Sequence, residues 1–223
     1  MAVVSSLLDR LKPISGLLQI FLTTPCSLCG TASSQGLCVS CQNQIRRCRL
    51  SSNRVASPLP VLAWGAYQGP LRQAISTLKY QQKPSIAEFL GTELSTLWFQ
   101  GKQRPPVVVP IPLHPERLQQ RGFNQAELIA RRFCRATGLR HCPDGLVRIR
   151  ATTAQHSLNA IQRRQNLEGA FRLAMEIPAQ ASVLLLDDIY TSGATAQAAA
   201  AVFSHHGIQV VGVAVVARAI AST

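Results

Sequence analysis

From Val61 onward, short apolar runs alternate with longer segments whose apolar residues recur at helical spacing. VLAWGAY, Val61 to Tyr67, reads as a strand, and Gly69-Pro70 breaks it. LRQAISTLKY follows with apolar residues at 71, 74, 75 and 78, which predicts a helix. After a loop from Gln81 to Pro84, Ser85 is expected to cap a helix reaching about Phe99. VVVPIP, Val107 to Pro112, is continuously apolar, as expected of a parallel strand buried on both faces. LHPERLQQRGF reads as a loop, and a helix then begins near Asn124 and ends at Gly138. Leu146 to Arg150 is a strand, followed by a long polar connection, Thr152 to Asn166. SVLLLDD is a third buried strand, Thr195 to His206 a helix ended by Gly207, and QVVGVAVVAR a final strand.

Strands alternating with helices predict an α/β fold with a parallel sheet and right-handed crossovers. Ligands in such folds bind outside the carboxyl ends of the strands. Segments 112–123, 150–168 and 187–195 lie at such ends and are expected to converge on one crevice.

The first 55 residues follow a different pattern. Residues 3–22 read as an amphipathic or partly buried helix. The apolar run Ile14 to Pro25 is too short to span a membrane, which takes about 20 residues. The start also lacks the charge pattern and cleavage site of a secretory leader. The expected setting is the cytoplasm, with no integral membrane segment. CSLCGTASSQGLCVSC places Cys26, Cys29, Cys38 and Cys41 as two C-x2-C pairs eight residues apart. Each pair can turn two thiolates onto one tetrahedral ion, and two pairs close the site, so the metal is structural. Zinc is the first choice and an iron–sulfur cluster the second. Such a site would add on the order of 10 kcal/mol to the folding of this short module. Of the remaining cysteines, Cys48 reads as an exposed thiol and Cys134 as buried in its helix; Cys142 is assigned no chemistry. These features divide the chain into a helix-plus-cysteine module, 1–55, and an α/β body, 56–223.

Charge sharpens the picture. The net charge is +13, lysine occurs only at Lys12, Lys79, Lys83 and Lys102, and the remaining basic residues are arginines. Arginine matches phosphate oxygens in bidentate fashion, so phosphorylated small molecules or nucleic acid are candidate ligands. The ribbon RRCRLSSNR, Arg46 to Arg54, reads either as a nucleic-acid contact or as a solvated linker.

Half of the four aspartates sit together as Asp187-Asp188 at the end of a buried strand. Adjacent carboxylates repel and need a divalent ion or a hydrogen-bonding diol as compensation. The following Thr191, Ser192, Gly193, Ala194 and Thr195 open a helix whose backbone N–H groups make an anion cradle. Carboxylates for sugar hydroxyls one sugar away from a phosphate nest suit a ribose 5-phosphate. A helix cap or a metal-dependent hydrolase would use part of this pattern. The hydrolase fits poorly, because no further carboxylates accompany the pair.

VLLLDDIYTSGAT closely resembles the phosphoribosyl pyrophosphate signature of type I phosphoribosyltransferases. PIPLHPERLQQRGFNQAELIA, from Pro110, and HSLNAIQRRQNLEGAF, from His156, resemble the ComF/GntX family, which also carries an N-terminal cysteine-rich zinc module. The resemblance implies a type I phosphoribosyltransferase-like fold and a role for each matching position. Asp187 and Asp188 would hold the ribose hydroxyls, directly or through Mg2+. Thr191 to Thr195 would cradle the 5′-phosphate. Pro112, Leu113 and His114 would form the pyrophosphate loop, within reach of Arg117, Arg121 and Asn124. Segment 150–168 would be the flexible loop over the site, with Arg163 and Arg164 neutralising the leaving group. His156 would be either a proton carrier or a surface residue.

Two functions follow from the resemblance. One is phosphoribosyl transfer by displacement at the ribose C1, with an acceptor that the sequence does not spell. The other is a non-catalytic adaptor that keeps the ribose-phosphate pocket and works with single-stranded DNA or competence proteins. The family's link to DNA uptake and utilisation accommodates both.

Overall fold

The computed structural model describes residues 24–55, 59–98, 105–150, 167–175, 177–178 and 180–220. The expected helix at 3–22 and the candidates His156, Arg163 and Arg164 lie outside these residues.

The cysteine module opens with two short antiparallel strands, β1 (Thr24–Pro25) and β2 (Ala32–Ser33). A turn between them carries the first cysteine pair. The second pair lies at the start of helix α1 (Val39–Arg46), with Cys38 as its N-cap and Cys41 inside it. Strand β3 (Arg54–Val55) then pairs antiparallel with β4 (Val61–Ala66).

Helix α2 (Gly69–Tyr80) follows, and Gly69-Pro70, read from sequence as a strand breaker, forms its first turn. Helix α3 (Ser85–Ser95) is capped by Pro84 rather than Ser85. The Ser85 hydroxyl instead meets the Ser27 hydroxyl of the cysteine module at 3.0 Å. The helix ends at Ser95, short of the expected Phe99, and the Ser95 and Thr96 hydroxyls bond back to the carbonyls of Thr92 and Glu93.

Strand β5 (Val107–Pro110) leads not into a loop but into helix α4 (Pro115–Arg121). Proline in the first turn and left-handed Gly122 at the end are the ordinary brackets of a helix. Helix α5 (Gln125–Thr137) starts where expected, with Asn124 as a side-chain cap and Gly138 as the left-handed stop. Strand β6 (Leu146–Arg148) pairs antiparallel with β7 (Phe171–Leu173), outside the main sheet. Strand β8 (Ser182–Tyr190), helix α6 (Ala194–His205) and strand β9 (Gln209–Arg218) complete the fold.

The main sheet runs β3-β4-β9-β8-β5, and its last four strands are parallel. Both faces are buried, as the continuous apolar runs require. Val108, Leu184, Leu186 and Ala214 pack toward Leu71, Leu90 and Phe133 of α2, α3 and α5. Their sequence neighbours Val109, Val183, Leu185 and Val215 pack toward Phe203 of α6 and Phe171 of β7.

Among the described residues, the cysteine module shares the core of the body: Cys26, Leu37, Cys41 and Ile45 belong to the cluster that holds Trp64, Leu71 and Ile86. Cys48 is buried in this cluster rather than exposed, because its sulfur faces the Gln68 carbonyl at the start of α2. Among the described residues no helix is long and apolar enough to cross a membrane.

Candidate functional site

Strand β8 delivers the two aspartates to the floor of a cleft of about 520 Å³ at the carboxyl ends of β5 and β8. Strand alternation sends neighbouring side chains to opposite faces. Asp188 continues the Leu184–Leu186 face toward α2 and α5, and Asp187 continues the Leu185 face. Asp188 is nearly fully buried. Its Oδ2 forms an ion pair with Lys79 Nζ, from the last turn of α2. Its Oδ1 accepts a hydrogen bond from Gln125 Nε2 at 2.9 Å. Asp187 is half-buried, and its Oδ1 accepts from the Asp188 backbone N–H at 2.8 Å.

These surroundings split the pair. Burial pushes the Asp187 carboxyl well above its ordinary value, and the neighbouring Asp188 charge adds to that push. Burial acts on Asp188 too, but Lys79 and the Gln125 amide overcome it and hold this carboxyl below its ordinary value. Burial also disfavours the Lys79 charge, yet the two aspartates raise its affinity for a proton overall.

Three arginines line the same cleft. Arg117 and Arg121 come from α4, and Arg148 from β6. Arg121 donates to Gln125 Oε1 and lies over the Tyr80 ring, 5.8 Å from its centroid. Gln125 thus links an arginine on one side to Asp188 on the other. Arg148 is buried, with its guanidinium 5.5 Å from the Phe171 ring centroid. The loop after β8 contributes Thr191 to the lining, and Thr195 follows in the first turn of α6. Gly193 adopts φ 77° as the N-cap of α6, and a Cβ there would lie 2.3 Å from the Tyr190 hydroxyl.

The cleft therefore brings together Asp187, Asp188, Thr191, Thr195, Pro112, Leu113, Arg117 and Arg121 from the sequence-derived set. Ser192, Gly193 and Ala194 shape the loop without lining the cleft. His114 lies 3.7 Å from Glu116, away from the lining. Asn124 is engaged locally. Its side-chain oxygen accepts from the Ala126 N–H at 3.1 Å and its nitrogen donates to the Ile111 carbonyl at 3.0 Å. Lys79, Gln125 and Arg148 were not singled out from the sequence.

The acidic pair does not by itself make a magnesium site. Three of its four carboxylate oxygens are engaged, one of them by an ammonium group. Magnesium also demands a near-octahedral shell of oxygens. Among the described residues, the metal-type cluster is that of Cys26, Cys29, Cys38 and Cys41, whose sulfurs all lie within 4.8 Å of one another. The Cys29 and Cys38 sulfurs are 3.6 Å apart. Four thiolates each about 2.3 Å from a tetrahedral zinc would sit about 3.8 Å apart, so the cluster is compatible with structural zinc. Burial raises the Cys41 thiol. Burial pushes Cys26 the same way, but backbone donors from Cys38, Leu28 and Cys29 bring it down to about 6.

No protein-family model matches the chain. It is 31% identical to DNA utilization protein YhgH of Escherichia coli K12 over 182 residues, covering 76% of this chain and 79% of that protein. It is 28% identical to competence protein F of Haemophilus influenzae, covering 84% and 92% of the two chains. It is 29% identical to competence protein ComFC of Bacillus subtilis, covering 86% and 73%.

Proposed function

The chain belongs to the ComF/GntX family of DNA-utilisation and competence proteins, and we propose that it serves DNA utilisation by binding phosphoribosyl pyrophosphate or a related ribose phosphate. The observation that carries this reading is one cleft lined by Asp187, Thr191 and Thr195 together with Arg117, Arg121 and Arg148. Asp187 accepts hydrogen bonds from a ribose hydroxyl. The loop and the α6 N-terminus hold the 5′-phosphate. The Pro112-Leu113 turn and the arginines hold the diphosphate, and magnesium arrives on that diphosphate's own oxygens. Where turnover occurs, it is displacement at C1. The arginines then stabilise the departing pyrophosphate and the cleft orients the sugar. Zinc on the four cysteines holds the N-terminal module together, and a reducing cytoplasm keeps those thiols available.

Calorimetric titration of phosphoribosyl pyrophosphate with Mg2+ tests the reading, beside Asp187→Asn. Saturable binding lost in the variant is the expected result. No binding at millimolar ligand overturns it.

A second reading has single-stranded DNA as the ligand. It is favoured by Arg47 and Arg49, which are exposed where the cysteine module meets the start of α2, while Arg46 is engaged by Glu93. A salt-dependent affinity for single strands that persists in Asp187→Asn would select it.

A further inference from the structure

Lys79 lines the cleft but lies outside the stretches that carry the family resemblance. It arrives from a different part of the fold, at the end of α2, and its side chain is only 17% exposed. An amine so enclosed needs a fixed counter-charge. Asp188, 4% exposed, supplies it. The same contact answers the repulsion between the adjacent carboxylates, for which the sequence suggested a divalent ion or a diol. The chain carries its own cation at that point. Gln125 closes the arrangement by donating to the other Asp188 oxygen.

A lysine ammonium has three N–H donors. Lys79 uses one on Asp188 and also lines the cleft, next to Asp187. A donor beside an acceptor is the complement of a hydroxyl, which both accepts and donates. Two neighbouring hydroxyls of a ribose can therefore accept from Lys79 and donate to Asp187.

On the ribose-phosphate reading given above, we propose that Lys79 is a resident cation of the acidic pair. The cleft then takes the vicinal diol of a ribose 5-phosphate without any metal ion. Divalent ions enter only with ligands that bring their own pyrophosphate. Lys79 is thereby both a diol contact and the positioning residue that keeps Asp188 ionised.

The test uses the full, zinc-loaded chain in buffer freed of Mg2+ by resin treatment, since a soluble chelator would attack the cysteine site. Ribose 5-phosphate is the probe, titrated with and without millimolar Mg2+. The expected affinities agree within about twofold, because no metal takes part. Loss of one charged hydrogen bond corresponds to about tenfold or more, so Lys79→Met should bind that much more weakly without Mg2+. Added Mg2+ should restore part of the loss in the variant alone. 2-Deoxyribose 5-phosphate, lacking one hydroxyl of the diol, should bind the wild-type chain more weakly in the same buffer, and this arm needs no variant.

Wild-type binding that requires Mg2+, or a Lys79→Met affinity unchanged without Mg2+, overturns the inference. Phosphoribosyl pyrophosphate run in parallel separates the two readings. If it binds with Mg2+ while ribose 5-phosphate needs the metal, only the resident-cation inference fails. If neither binds, the ribose-phosphate reading fails as well.

Discussion

Arg46 of the cysteine module reaches Glu93 on α3, with its Nε 2.7 Å from a carboxylate oxygen whose side chain is 9% exposed. The guanidinium also lies over the Phe89 ring, 5.3 Å from its centroid. The contact joins the small N-terminal part to the α/β body through a carboxylate with little access to water. Arg46→Met leaves Glu93 without that partner and should lower stability by about 1–3 kcal/mol. Replacing both residues with apolar ones should recover most of the loss, because no carboxylate is then left buried without its partner. Thermal melting of the single and double variants reads both effects. Equal melting of Arg46→Met and wild type would count against the contact.

Metal removal should be felt beyond the module. The buried cysteines sit in the same cluster as Trp64, Leu71 and Ile86. A zinc chelator should release one zinc per chain, open residues 24–55 to protease, and then lower the melting temperature of the whole protein. A melting curve and digestion pattern that ignore the chelator would show that the thiols suffice without a metal.

Asp187 should make the unliganded protein less stable as pH rises. Its carboxyl holds a proton to higher pH when folded than when unfolded. Between the ordinary value of 3.8 and the raised one, the folded state carries the extra proton, and stability falls through that window. Asp188 has the opposite sign, and its contribution is lost only as pH falls through its depressed value. Asp187→Asn keeps the oxygen that accepts from the Asp188 N–H and removes the charge. In alkaline buffer it should melt above wild type, by about 2–4 °C per kcal/mol gained, with the difference vanishing in acid. An Asn variant less stable throughout would contradict the assignment.

Two glycines separate backbone strain from collision. Gly122 and Gly193 have φ near 80°, but a Cβ at Gly122 meets nothing within 4 Å, whereas one at Gly193 runs into Tyr190. Gly122→Ala should cost about 1 kcal/mol from its left-handed backbone alone. Gly193→Ala should cost more and also weaken phosphate binding, since the loop must move. Denaturant melts of the two variants give the comparison, and equal losses would mean that Tyr190 yields freely.

How much of this was legible depended on whether a residue's role lay within its own element. The apolar runs marked the buried strands, and Asn124 and Gly138 marked the ends of α5. The DDIYTSGAT segment marked the cleft because its strand, loop and helix start are consecutive. Lys79 was hidden because a lysine in the last turn of an amphipathic helix is ordinary, being favoured there by the helix dipole. Its partner lies on a strand much later in the chain. Arg148 was hidden for a different reason. In LVRIR the structure buries the arginine and leaves Ile149 52% exposed, the reverse of the hydrophobic pattern. The Phe171 ring that receives the guanidinium comes from β7, which the sequence reading did not find.

Helix α2 begins against the buried Cys48 and carries Lys79 in its last turn, so a single rod of about 18 Å touches both the cysteine module and the acidic pair. Where two sites are coupled through a shared element, each changes the other's affinity by the same factor and in the same direction, as thermodynamic reciprocity requires. A sugar phosphate that fixes the far end of the rod should therefore raise the affinity of the near end for zinc. Zinc in turn should raise the affinity for the sugar phosphate by the same factor.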